Sequence, residues 1–480
     1  MSKNILILLC LCILSSCQSC STEDTDALAG DASVSVVVDG TPVTVHETLV
    51  SKWPTNKFWD GVQRDPSETE TAYFTSFDYK EGQNVRIAVP GGAKGKKCVV
   101  RPSEFGIEAE VGKKGDIELK NIPGPCQFVV EVGGYHNALH VFVNPADSYP
   151  SVDRNSPDVI YYGPGKHNVP DGINLKSGQT LFIDEGAVLY SYVLASNVSG
   201  IRILGKGILD CSKFAREECY PINISNSTDI EINGIVINDP THWTAIISNC
   251  RNVVFDNVKL IGCWRYNADG FDICNTSDVK IHNCFLRCFD DNIVIKGLSP
   301  FYRDGYKIIE NVDVRNCVLW NDWGQALEIG AETVADEIRN ITYDSCYIMR
   351  FTFNAMDIQN TDKAYIHDVH YSNIYVEEPI YLNAALGGEL MSPDGFGGLI
   401  NIIVTPSMWS TVDIRGRVSN ITYENIYYTG SKGTRINFSG YAEDADIKDI
   451  QISNCCINGK RIDKNYNYIK NKFVSNINIK

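Results

Sequence analysis

The 480-residue chain has no basic run beyond Lys94-Gly95-Lys96-Lys97, and its formal net charge is −16. A face that neutralises phosphates needs clustered Lys and Arg, so nucleic acid is excluded as a partner. The same deficit makes a polyanionic ligand an unfavourable fit. Beyond the N-terminal segment there is no C-x-x-C pair, and the eight histidines are scattered. His367 and His370 stand three apart in a strand-like context, which points them to opposite faces. No metal site and no cofactor are therefore expected. Past residue 14 no apolar run is long enough to cross a bilayer. Between the strand-like segments of the C-terminal two-thirds there is no 3.6-residue apolar period to supply crossover helices, which excludes a βαβ fold.

What is present suits a soluble globular body: 44% apolar and 21% charged residues, in a length that implies two domains. The first residues form a targeting segment. Lys3 precedes the apolar run Ile5 to Leu14, followed by Ser15-Ser16-Cys17. Leu14-Ser15-Ser16-Cys17 resembles a bacterial lipobox, with an ordinary cleaved signal as the alternative. Residues 1–17 are expected to be a lipoprotein signal peptide with Cys17 as the lipidated residue, and residues 18–30 a polar tether. The body would then be held by a lipid anchor on the periplasmic or surface side of the outer membrane. Seventeen cysteines suggest disulfides in an exported protein. Yet Cys250, Cys284, Cys317, Cys346 and Cys455 each follow Asn or Ser at the end of a strand-like run, a repeat position where Cys serves as a small buried apolar residue. Cys98 with Cys126, or Cys211 with Cys219, remain open as pairs.

From about residue 185 one phrase recurs. Asp229-Ile230-Glu231-Ile232-Asn233 is echoed by Asn252-Val253-Val254-Phe255-Asp256-Asn257, by Asp278-Val279-Lys280-Ile281-His282-Asn283, and by later copies. Asn or Ser anchors fall at 233, 257, 283, 316, 345, 373, 425 and 454, at intervals of 24 to 33 residues apart from one of 52, which hides one coil plus an insertion. Each copy alternates with period 2, and strands alone at this interval read as a solenoid. The expected fold class is all-β: a right-handed parallel β-helix over residues 158–480, with Ile/Val ladders inside and Asn ladders at the turns. Residues 31–147 repeat no phrase. They carry short strands and turn residues, including a hairpin opened by Ser33 to Gly40, and read as a small antiparallel β-sandwich.

The repeat brings chemistry together. Asn267-Ala268-Asp269-Gly270 and Phe289-Asp290-Asp291-Asn292 lie about one coil apart at the edges of strands. Stacking then sets Asp269, Asp290 and Asp291 side by side, and mutual repulsion pushes at least one pKa up. A proton-donating acid beside an ionised base is what glycosidic bond cleavage needs, whereas a single Asp here would only cap a turn. Asp272 is read as belonging to its strand.

With the repeat and the carboxylates in hand, residues 158–480 resemble the clan of inverting glycosidases formed by glycoside hydrolase families 28 (polygalacturonases) and 49 (dextranases and isopullulanase). The preceding sandwich resembles the dextranase side. Polygalacturonases carry N-T-D, D-D, G-H-G and R-I-K in order. Asn267-Ala268-Asp269 and Asp290-Asp291 match the first two. Gly324-Gln325-Ala326 lacks the His of the third, and Asp357-Ile358-Gln359 lacks the cations of the fourth, which grip a uronate carboxylate. The resemblance implies catalysis by Asp269, Asp290 and Asp291, with Asp290 as general acid, on a neutral α-linked glycan. Asp357 would repel a uronate. Asn267, Gln325, Glu328, Asp357 and Lys296 are the candidate polar contacts to the polysaccharide or oligosaccharide, and Trp243 and Trp323 the stacking platforms among the nearby Trp264, Tyr266 and Trp320. The alternatives are a polygalacturonase-like pectin hydrolase, a polysaccharide lyase and a non-catalytic glycan-binding β-helix. The lyase needs a cation to neutralise a uronate. The binder gains nothing from adjacent carboxylates.

Overall fold

The structure is a computed structural model that describes residues 34–52, 65–146, 152–299, 308–380 and 398–480. The signal peptide, the tether and Cys17 lie outside the described residues.

Residues 34–146 build two packed five-stranded sheets. One runs Thr41–Val43, Ser35–Val38, Val85–Ala88, Ile117–Lys120, Glu108–Val111, all antiparallel. Its first hairpin turns on Asp39-Gly40, with φ of 48° and 80°, the two positive values that a two-residue turn between twisted strands requires. The other runs Val45–Ser51, Thr69–Asp78, Leu139–Asn144, Cys126–Val132, Cys98–Arg101. Here the expectation of a wholly antiparallel sandwich is corrected: Leu139–Asn144 lies parallel to Thr69–Asp78. Between these two strands the chain visits the opposite sheet, and that long excursion lets it return in the same direction. Val36, Ile87, Ile117 and Leu119 meet Phe128, Val130, Val141 and Val143 between the sheets.

The parallel β-helix begins at the strand Val159–Tyr162, and its coils stack in register along a 22-stranded and an 11-stranded sheet. Inward positions form unbroken columns. Ile232, Phe255, Ile281, Val314, Tyr343, Tyr371 and Tyr423 lie one above the next. The three tyrosine rings stack at 4.7 and 4.9 Å. At the turns Asn257, Asn283, Asn316, Asn373, Asn425 and Asn454 all have φ near +50° to +56°. Asn tolerates this left-handed region, and its amide bonds the rung below: Asn425 Nδ2 donates to Asn373 Oδ1 at 2.9 Å and Asn454 to Asn425 at 2.6 Å. Asn233 is not a rung of this ladder. It pairs with Asp256, so the left-handed residue beneath Asn257 is Gly234. The 52-residue interval is one coil, because Tyr365–Pro379 pairs directly with Arg417–Tyr428.

All thirteen described cysteines are free thiols. Cys250, Cys284, Cys317, Cys346 and Cys455 are buried, and each thiol donates to the carbonyl two residues back. Cys98 sits opposite Val132, at the far end of the strand from Cys126, so geometry rules out that pair. Cys211 and Cys219 share a small buried cluster with Phe214 and are reduced.

Sandwich and solenoid are joined by a third apolar cluster. Phe74, Val129 and Phe142 of the sandwich pack on Ile261, Phe285, Trp320 and Met349. Buried Glu131 takes both ends of the Arg350 guanidinium at 2.7 to 2.9 Å. Trp320, grouped with the site aromatics on sequence grounds, belongs to this interface and is fully buried there.

Candidate active site

Four consecutive strands of the 11-stranded sheet carry the site: Phe271–Cys274, Ile293–Gly297, Leu327–Thr333 and Asn354–Asn360. Ile273, Ile295, Ile329 and Ile358 point into the helix core. Alternation therefore turns Asp272, Lys296, Glu328, Asp357 and Gln359 to the other face. Just before each strand the chain turns, and there the register carries Asp269, Asp291 and Gln325 one above the next: Gly270 N–H bonds Asp291 O at 2.7 Å and Asn292 N–H bonds Gln325 O at 2.9 Å. Asp290 precedes Asp291 in the same turn.

A cleft of about 220 Å3 has Trp243, Asn267, Asp269, Asp290, Asp291, Lys296, Trp323, Gly324, Gln325, Glu328 and Gln359 in its wall. Gly324 has to be glycine. A Cβ there would stand 2.5 Å from Asp291 Oδ1 and 2.6 Å from Asp290 Oδ1, so both oxygens converge on one point. Gly270 is needed for close stacking, since a Cβ there would strike the Asn292 carbonyl. Asn292 is fully buried and ties the turn down, its Nδ2 donating to Leu286 O at 3.2 Å and Trp320 O at 3.0 Å.

The carboxylates differ in their partners. Asp269 Oδ2 lies 3.2 Å from Lys296 Nζ, and the same ammonium is 3.0 Å from Asp272 Oδ1. Asp291 Oδ1 accepts the Gln325 N–H at 2.8 Å. Asp290 makes no ion pair with Lys296, though it feels that charge and the Asp291 backbone N–H. Burial, then the neighbouring Asp291 charge, pushes Asp290 well above the ordinary carboxylate range. Burial pushes Asp269 up as well, against the pull of Lys296. Glu328 is raised by burial and by the charges of Asp291 and Asp357. Burial and the charge of Asp291 favour the protonated form of Asp290, which has no ion pair to Lys296, and this suits it to donate a proton.

Asn267, at φ +55°, holds its Oδ1 2.8 Å from Arg216 Nη2. Gln325 uses its Oε1 to accept from Asn354 N–H at 2.9 Å and Nδ2 at 3.0 Å. Trp323 stacks on Phe289 at 5.6 Å and meets Phe353 edge-on at 6.1 Å. Trp264 instead bonds Asp239 from a buried position, and Tyr266 sits in the core. Asp357 is a correction. It is fully buried and absent from the cleft wall, with Asn401 Nδ2 at 2.6 Å and Gln359 Nε2 at 2.9 Å on its two oxygens. Gln359 stands in the wall in its place and also reaches Glu328 at 3.1 Å. Arg216, Gln359, Glu332, Phe353 and Trp409 were missed. A tryptophan in the insertion of the 52-residue interval was the one available signal, and Trp409 is 43% exposed at the cleft.

Burial pushes Asp357 from 3.8 up to about 7, against the bonds from Asn401 and Gln359. A folded pKa above the unfolded one means that folding favours the protonated form. That contribution is complete below about pH 4 and is lost as pH rises through about 7. Asp357→Asn is expected to flatten the decline of Tm over that window in thermal denaturation; an unaltered slope would assign the decline to other groups.

Residues 173–383 match the model of glycosyl hydrolases family 28. An isopullulanase of Aspergillus niger is 21% identical over 467 residues, 83% of this chain and 74% of that protein. Dex49A from Penicillium minioluteum has the same fold with a TM-score of 0.60 at 14% identity, covering 93% of each chain. The chain resembles the polygalacturonase and dextranase clan. The clan's family model takes in every carboxylate of the cleft, and the dextranase fold extends over the sandwich as well as the β-helix. On the polygalacturonase side of the clan, a protein of Emericella nidulans named "Probable exopolygalacturonase B" is 27% identical over 223 residues, 37% of this chain and 49% of that protein. The chain thus spans about half the length of such relatives.

Proposed function

We propose that the protein is a glycoside hydrolase that cleaves a neutral α-linked glycan with inversion at the anomeric carbon. Asp290 protonates the leaving oxygen. Asp269 with Asp291 deprotonates a water that attacks the opposite face of the ring. The observation that carries this reading is the convergence of Asp269, Asp290 and Asp291 on one cleft in which Lys296 is the lone cation among the described lining residues. Lys296 already faces two carboxylates, so among the described lining residues no cation is left to pair with a uronate. Gln359, Gln325 and Asn267 offer amides to hydroxyl groups, and Trp243, Trp323 and Trp409 offer apolar rings.

The second reading, a pectin hydrolase, is favoured by the family 28 match and the exopolygalacturonase-like relative. One assay separates the two. Reducing-end release is measured on dextran, pullulan, galactan and polygalacturonate. Release from a neutral glycan with little from polygalacturonate is expected. Rapid release of galacturonic acid would overturn the substrate assignment and leave the cleavage carboxylates in place.

A further inference from the structure

We infer that Lys296 and Asp272 act as a positioning pair that sets the ionisation of Asp269: Lys296 favours its charged form against burial, and Asp272 holds the lysine in place and moderates its pull. The inference rests on the hydrolase reading for its catalytic meaning, but the ionisation of Asp269 is measurable without it.

The geometry is a buried three-body contact. Lys296 projects from Ile293–Gly297 back over the preceding coil, which carries both Asp269 and Asp272. All three are nearly or fully buried, at 4%, 2% and 0% exposure. The Trp243 ring covers the ammonium at 3.9 Å from its centroid. A buried ammonium without a carboxylate is costly, so the lysine stays with its partners. Asp272 is outside the cleft wall and Asp269 is in it. One partner is thus a resident counter-ion, and the other is the group that can meet a water. Without Asp272 the lysine would be a cation paired to Asp269 alone. Without Lys296, Asp269 would face only like charges.

Asp269 meets Lys296, Asp272, Asp290 and Asp291. Asp272 and Lys296 also meet Glu332 and Asp291, and His242 feels the lysine from the neighbouring turn. Carboxylates outnumber the single ammonium, so removing one charge of either sign moves Asp269 in a direction fixed by that sign. Taking away Lys296 moves its pKa up. Taking away Asp272 moves it down.

The test uses the whole chain labelled with 13Cγ-aspartate, with the Asp269 signal assigned by its loss in Asp269→Asn. Titration of Lys296→Met should show Asp269 protonating at higher pH than in the wild type, and Asp272→Asn at lower pH. In parallel, Lys296→Met should lower kcat by about a hundredfold with little change in KM, and its acid limb should move to higher pH. If Lys296→Met does not fold, the isosteric Asp272→Asn carries the test alone. A downward shift supports the pair; no shift or an upward one overturns it. Wild-type rates in Asp290→Asn would refute the hydrolase reading while leaving this titration result intact, so the two failures are distinguishable.

Discussion

Asp290→Asn is expected to lower kcat by about 10²–10⁴-fold and to leave the fold unchanged. Asparagine fills the same volume in the turn beneath Gly324 but has no proton to give a leaving oxygen. Asp269→Asn should fall by a similar factor for a different reason, since an amide does not accept a proton from water. The pH profiles then separate the roles. Asp290 makes no ion pair with Lys296 and is raised by burial and by Asp291, so its loss should abolish the basic limb. Asp269 lies against Lys296, so its loss should abolish the acid limb. NMR of the first product should show an inverted anomeric centre. Retained configuration, or wild-type rates in both variants, would remove the acid–base assignment.

Trp320→Ala is expected to destabilise the protein by about 3–5 kcal/mol, the cost of emptying a large buried aromatic site. The ring is fully buried, its Nε1 donates to Asp322 Oδ1 at 2.8 Å, and Arg287 lies 3.9 Å over its face. His140 and Tyr135 of the sandwich approach it at 6.0 and 6.4 Å. Its loss opens the seam between sandwich and β-helix, not the cleft, so kcat per folded molecule should hold. Urea denaturation followed by probes in each part should show the sandwich unfolding earlier than in the wild type. A loss below about 1 kcal/mol would mean the two parts are not coupled through this ring.

The sequence by itself determined the solenoid and the position of its carboxylates. A period-2 pattern repeated at near-constant interval has one way to bury its apolar face, namely coil upon coil. Once coils stack, Asp269 and Asp291 must share a register position, because Phe271 and Ile293 do. The turn asparagines were legible because few other residues tolerate a left-handed backbone. One rung was misplaced, at Asn233, since glycine meets the same demand without leaving an Asn to read.

Only the tertiary structure decided what covers each outward face. Alternation says that Asp357 and Gln359 point away from the core; it does not say which of them a neighbouring turn will bury, and Asn401 of the next coil takes Asp357. It says that Lys296 leaves the core, but not that it reaches back between Asp269 and Asp272. It puts Trp320 on an outer face, and the docked sandwich makes that face interior. Contacts across coils and between domains depend on loop lengths and side-chain reach, and a local period carries no record of either.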